Sequence, residues 1–390
     1  FDSTRFTQGI EKVVRQAISL FGRAPYRDYT FLFQDDAYGA LEHLNSVTLG
    51  APSAALATDP NALLEETAHE YFHSWNLMRI RPAEYGGVDY RGQPPAAELW
   101  FSEGFTMFYA DLLLRRAQLP VEDSSRARHL AHLVERYLSA EGYARYSAER
   151  VSRAANVDGP GNLGDYQLST HLQGELIGAM LDLVIRDASH GHRTLDDLMR
   201  GMNERFSGAT GFTGADVERV AAEVCHCGVK GFFDGWVRGK GPVRFDHYLR
   251  LIGLAPKVIW APARSDSGAV IPDLRIWAWA APGHASPSLI LQTPNSVWGK
   301  AGLHTGDRVV GWNGAPIRDL DDFRAAIRRV QLNDTVRVTV RRDEKPVRVV
   351  VIATSYDTPS VTLEPISTAT AEQRARRDEW LAGSAGDAGE

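Results

Sequence analysis

The stretch Ala68-His69-Glu70-Tyr71-Phe72-His73 constrains this chain most, because two imidazoles four positions apart act together only when the backbone between them is an α-helix. On a helix they share one face, a single turn apart, which is a spacing that suits a zinc ion. Glu70, beside His69, is a carboxylate able to serve as general base toward a water at that metal. The run from Asn61 to Ala68 is rich in good helix formers, and Pro82 blocks any continuation. In a chain of this composition the H-E-x-x-H pattern arises by accident about 0.05 times. The competing reading, two solvated histidines on an amphipathic helix, leaves unexplained a carboxylate set inside an apolar run further along the chain.

That run, Glu98 to Leu114, is strongly apolar, helical in pattern and interrupted by Glu103. An unpaired carboxylate is costly to bury there, and metal ligation or ion pairing is the usual remedy. Glu103 is therefore the expected third ligand of one Zn2+ beside His69 and His73, with an ion pair to Arg79 or Arg81 as the alternative. Glu42, in an extended segment after Tyr38-Gly39, reads from its local pattern as a solvated strand carboxylate. His190 and His192 fall in a polar turn and read as solvated too. Cys225 and Cys227 flank His226 and do not make the paired C-x-x-C sets of a structural metal site. They read as ordinary helix-end residues, leaving the redox compartment open.

At 390 residues, 44% hydrophobic and 24% charged, the chain is long and apolar enough for more than one buried core. A formal charge of −6 with no basic block predicts neither nucleic acid nor an anionic membrane as partner, and no apolar run reaches membrane-spanning length. Apolar residues recur at helical spacing up to about Leu254, and short β-prone runs follow it. The expected class is α+β. A mainly helical domain over residues 1–254 leads through a Pro- and Ser-rich linker, 255–272, to a small β-rich domain, 273–366. Residues 367–390 are expected as a short helix and a disordered tail. The chain starts at Phe1 inside an amphipathic stretch, which reads as a fragment or a processed product.

The motifs together resemble known families. His69-Glu70-x-x-His73 with Glu103 inside Trp100-Phe-Ser-Glu-Gly-Phe-Thr looks like the gluzincin arrangement of thermolysin-like proteases and M1 aminopeptidases. With Arg79-Ile-Arg-Pro between them, the two motifs resemble the M61 family typified by glycyl aminopeptidase, whose members usually carry a β domain ahead of this region. The resemblance implies a thermolysin-like zinc peptidase fold, with His69, His73 and Glu103 as ligands and Glu70 as base. It also gives Glu42 a role. Gly39-Ala40-Leu41-Glu42-His43 is similar to the M1 strand whose Glu binds the free α-amino group of the substrate, so Gly39, Ala40 and Glu42 are implied as substrate-binding residues. Related enzymes place a Tyr three positions before the Gly of the long helix to bond the oxyanion; here that position is His171, and His171 and nearby Tyr166 both remain candidates.

Ser296 to Ile317 contains Ala301-Gly302-Leu303-His304-Thr305-Gly306-Asp307 and resembles the core of a PDZ domain, which implies an extended peptide or C-terminus bound by strand addition. Ala281 to Pro287 does not match a carboxylate-binding loop, which leaves a docking role as the alternative. The resulting expectation is a zinc aminopeptidase removing small N-terminal residues, Gly or Ala, from peptides with free N-termini. The alternatives are a thermolysin-like endopeptidase and an inactive, peptide-binding PDZ scaffold. The expected compartment is the bacterial periplasm, with the cytoplasm as the alternative.

Overall fold

The computed structural model describes residues 1–86, 94–121, 123, 125–155, 163–280 and 286–385. It begins with α1 (Ser3–Phe21), capped by the Asp2 carboxylate on the Arg5 N–H and ended by Gly22 at φ 79°. The buried stripe Phe6, Ile10, Val13, Ala17 and Leu20 lays this helix on the core. Next come β1 (Thr30–Gln34), β2 (Ala40–Glu42) and β3 (Ser46–Gly50), in the spatial order β1-β3-β2. β3 pairs in parallel with β1 and antiparallel with β2, leaving β2 at an edge of the sheet. Gly39, at φ 87°, makes the left-handed turn into β2.

After α2 (Ser53–Thr58), α3 (Leu64–Phe72) carries the H-E-x-x-H motif, and α4 (Leu99–Arg116), α5 (Arg126–Ser139), α6 (Ala148–Ala155) and α7 (Thr170–Ala188) build the rest of the site's frame. α4 and α7 meet glycine to glycine. A Cβ at Gly174 would lie 2.7 Å from the Gly104 Cα and closer still to the Trp100 carbonyl oxygen, and one at Gly104 would lie 2.6 Å from the Glu175 nitrogen. Only residues without side chains permit this approach. The helical part continues with α8 (Leu195–Phe206) and α9 (Gly214–Cys225), each opened by a Thr–Asp capping box, and with the short α10 (Lys230–Phe232) and α11 (Phe245–Leu249).

The stretch expected as linker is different. Residues 254–262 form β4 (Leu254–Pro262), which pairs antiparallel over its whole length with β11 (Asp357–Pro365). Residues 255–262 are thus one strand of a ribbon by which the chain leaves the helical domain and returns to it. Leu254 and Val361 anchor the ribbon in the helical core. Beyond Val258 β4 is exposed at every position, and so lacks the alternation that marks a half-buried strand. Between the ribbon strands lies the β-rich unit expected there: β5 (Ile276–Trp279), β6 (Ser288–Leu291), α12 (Val297–Lys300), β7 (Arg308–Trp312), β8 (Ala315–Pro316), α13 (Leu320–Ile327), β9 (Thr335–Arg342) and β10 (Lys345–Ile352). Its sheet runs β10-β9-β7-β6-β5 and covers a separate core that includes Leu289, Trp298, Leu303, Val309, Phe323 and Val338. The sequence expected as a poor match to the carboxylate-binding loop falls largely on 281–285, outside the described residues.

α14 (Ala371–Ala382) is the helix expected near the C-terminus, but it is part of the helical domain. Trp380 is buried in that domain's core, and Arg126, Arg116 and Arg186 donate to the carbonyls of Trp380, Gly383 and Ser384 at 2.7–2.8 Å. Of the tail expected as disordered, residues 382–385 are described, with Gly383 and Ser384 held by these contacts, and 386–390 lie outside the described residues. Cys225 and Cys227 are joined in a disulfide at the end of α9, correcting their reading as ordinary helix-end residues. His226 between them takes the left-handed cap at φ 50°, a turn that folds the two side chains toward each other.

Candidate metal centre

α3 presents His69 and Glu70 from its last turn, and His73 follows at its C-cap. The His69 and His73 Nε2 atoms lie 3.1 Å apart, and both face the same Glu103 oxygen, at 3.5 and 3.4 Å. Donors about 2.0–2.1 Å from a tetrahedral zinc are separated by about 3.3–3.4 Å, so this spacing fits the ion. The donor chemistry fits as well. The His73 Nδ1–H donates to the Asn76 carbonyl at 2.7 Å, which turns the Nε2 lone pair toward the cluster. Asn76 in turn donates through Nδ2 to the carbonyls of Phe101 and Ser102, at 3.1 and 3.0 Å, tying the end of α3 to the first turn of α4, directly before Glu103.

Both histidines are buried, and Glu103 is nearly so, with 18% of its side chain accessible. Arg79 and Arg81, the alternative partners for Glu103, donate instead to the carbonyls of Leu44 and Ser74 and of Met78. Burial lowers His69 to about 4. Burial also pulls on His73, and more strongly than any other single influence, but the charge and hydrogen bond of Glu103 together with the charges of Glu42 and Glu70 outweigh it and lift the imidazole to about 9. Burial alone would raise Glu103, yet His73, His171 and His69 hold it well below the usual carboxylate range. In the metal-free protein at neutral pH His73 is therefore the protonated donor, and a metal must displace that proton. We expect metal binding at pH 7.5 to release about one proton, read by calorimetry in buffers of different ionisation enthalpy, with the release fading as pH rises past 9.

Glu70 follows the same face, and its Oε2 is buried with no hydrogen-bond partner among the described residues. Burial raises its carboxyl to about 7, with Glu42 and Glu103 adding to the rise against the pull of His73. A buried, unpartnered carboxylate oxygen beside three metal donors is an acceptor kept for something other than protein. Glu42 enters from the edge strand β2, close enough that its charge acts on both Glu70 and His73. Gly39 and Ala40 lead into it, Gly39 accepting from the Gly50 N–H and Ala40 pairing with Leu49.

His171, in the first turn of α7, comes within 3.2 Å of the same Glu103 oxygen, and its ring stacks on that of His69 at 5.6 Å. The ligand atoms of His69, Glu103 and His171 all lie within 4.8 Å of one another. Four donors thus converge where three were expected. His171 differs from the other two imidazoles in being about half exposed. Tyr166 is elsewhere: its ring packs on Gly142, meets Tyr146 edge to face and lies under Arg145, and none of these contacts reaches the cluster. His190 and His192 remain in an exposed turn at the end of α7. Sequence reasoning missed Asn76, although its place three residues after His73 was a usable signal, and it missed the Gly104–Gly174 contact that brings Glu103 and His171 together.

Residues 62–177 match the M61 glycyl aminopeptidase family, and residues 293–352 match the PDZ domain. No curated protein matches the chain. Among solved structures, an aminopeptidase N family protein from Idiomarina loihiensis is similar at 22% identity with a TM-score of 0.70, over 97% of this chain and 66% of its own. An M1 zinc metallopeptidase from Deinococcus radiodurans is similar at 21% identity and a TM-score of 0.40, over 60% of this chain and 45% of its own. The chain thus spans about two thirds of the length of the Idiomarina structure.

Proposed function

We propose that this chain, which carries an M61 peptidase domain followed by a PDZ domain, is a zinc-dependent aminopeptidase acting on peptides with free N-termini. The observation that carries the reading is the approach of Glu42, on an open sheet edge, to a cluster of metal donors that already includes a general base. His69, His73 and Glu103 would hold the ion. Once bound it supplies Lewis acidity toward the scissile carbonyl and lowers the pKa of a water.

The chain's own residues do the rest. β2 offers its free edge to the backbone of an extended substrate, and Glu42 at its end pairs with the α-ammonium, which sets the first peptide bond over the cluster. Glu70 takes a proton from the attacking water and passes it to the leaving amine. His171, less buried and less constrained than the other imidazoles, donates from Nε2 to the carbonyl oxygen as charge develops on it. That leaves Tyr166 outside the mechanism. A preference for Gly or Ala rests on the family description, and the disulfide is of the kind found in oxidising compartments such as the periplasm. The open edge of β5 offers the PDZ domain a place to add an extended peptide.

A panel of aminoacyl-anilides and N-acetylated peptides, with and without a chelator, tests the reading. Cleavage of unblocked substrates alone, abolished by the chelator, is expected; cleavage of blocked peptides at interior bonds makes the enzyme an endopeptidase. Replacing Glu42 by Ala should raise KM for unblocked substrates by about tenfold to a hundredfold, the worth of one desolvated charge pair, with a smaller change in kcat. Replacing His171 by Phe should lower kcat by about a hundredfold and leave the bound metal in place.

A further inference from the structure

The helical domain and the PDZ domain have separate hydrophobic cores, so apolar packing does not fix their relative placement. Two carboxylates of the helical domain reach across instead. Asp165 accepts from the Thr305 N–H at 2.6 Å and pairs with His304 Nδ1 at 2.9 Å. Glu141 accepts from Asn295 Nδ2 at 2.8 and 2.6 Å and from the Thr293 hydroxyl. Beside Thr293 the two domains form a half-open cleft of about 390 Å³, lined by Tyr143 and Leu168 on one side and by Gln292 and Tyr356 on the other.

One clamp lies on the chain segment that delivers His171, and the other reaches that segment through a neighbouring turn. Asp165 lies six residues before His171, and the next residue, Tyr166, packs on Gly142. Glu141 opens the turn Glu141–Ala144, whose Tyr143 hydroxyl accepts from the Ser169 N–H at 2.9 Å. Ser169 is the N-cap of α7, two residues before His171. The route from the PDZ surface to the imidazole is therefore short on both sides. Among the described residues the half-exposed ring of His171 is held by Glu103, by the Thr170 hydroxyl and by its stacking on His69, a light hold to which such a support adds.

We infer that the PDZ domain is a positioning element of the peptidase site, with Asp165 and Glu141 as positioning residues that hold segment 163–171, and through it His171, in register with Glu103. The inference rests on the catalytic reading of His171 given above. It also gives the PDZ domain a regulatory consequence. Partly exposed polar clamps are individually weak, so a peptide that draws the PDZ domain aside loosens His171 and slows turnover without touching the metal ligands.

The test uses the full chain carrying Asn295→Ala and His304→Ala, substitutions on the PDZ side and outside the site. With alanyl-p-nitroanilide we expect kcat to fall about fivefold to tenfold, KM to stay within about twofold, and metal content to stay unchanged. In a His171→Phe background the same pair should give no further fall, because both changes act on one interaction. In the metal-free protein, amide hydrogen exchange over 163–172 should quicken. An unchanged kcat, or a fall that adds in full to that of His171→Phe, overturns the inference. If His171→Phe itself leaves kcat unchanged, the oxyanion reading fails instead, and the exchange rates still decide whether the clamps order the segment.

Discussion

Replacing Glu70 by Gln is expected to lower kcat by about 10³-fold while zinc, measured by elemental analysis, stays bound. The carboxylate is not among the donors that face one another across the cluster, and its Oε2 is buried without a partner among the described residues, so the amide fits the same space and disturbs no ligand. What disappears is the proton acceptor. Full activity in this variant would remove Glu70 from the mechanism. The same group predicts a pH profile. Burial raises its carboxyl to about 7 in the metal-free protein, so the base form gains population as pH rises through neutrality. A bound cation favours the ionised form, and kcat/KM should therefore climb on the acid side with an apparent pKa below 7.

Gly174→Ala is expected to cost about 3 kcal/mol of unfolding free energy and to weaken metal retention, read by denaturant unfolding and by zinc content after dialysis. In an unobstructed helix the same change would gain up to about 1 kcal/mol in propensity, so a loss isolates the steric term. The added methyl meets the Trp100 carbonyl oxygen, a backbone atom that cannot swing aside, and relief requires α4 and α7 to separate. Glu103 precedes Gly104, and His171 lies three residues before Gly174, so the separation acts directly on the cluster. Gly178→Ala is the internal comparison. Its methyl meets side chains and not backbone, the Phe105 ring at 3.2–3.3 Å and Leu195 at 3.6 Å, and should cost much less. Equal effects at the two positions would mean that the glycine contact is not what holds the helices in register.

Much of the site was legible in the sequence because its signals are local or chemically costly. His69 and His73 share a face by helical period alone, and Glu103 betrayed itself as a charge on an apolar helix. Glu42 had no local signal at all; its proposed role came through resemblance, and the edge position of β2 beside the cluster is the physical support for that proposal. The helices were equally readable, since α1 buries an apolar face at helical spacing and α7, apolar nearly all round, is buried on nearly every side. The β4–β11 ribbon was not. Its strands are about a hundred residues apart and β4 is exposed on both faces for most of its length, so nothing in β4 alternates and nothing nearby names its partner. The glycine contact was hidden for a related reason: a missing side chain records only that something comes close, not what.

The docking of α14 bears on the order in which the molecule can be made. Arg116, Arg126 and Arg186 were synthesised long before the carbonyls they hold, and Trp380 fills a space in the first domain's core that nothing earlier in the chain occupies. During translation the helical domain must wait, with that space open, while the ribbon and the whole PDZ domain emerge. Its core closes only when the residues past 380 have left the ribosome, so the helical domain is completed after the PDZ domain that interrupts it and not before.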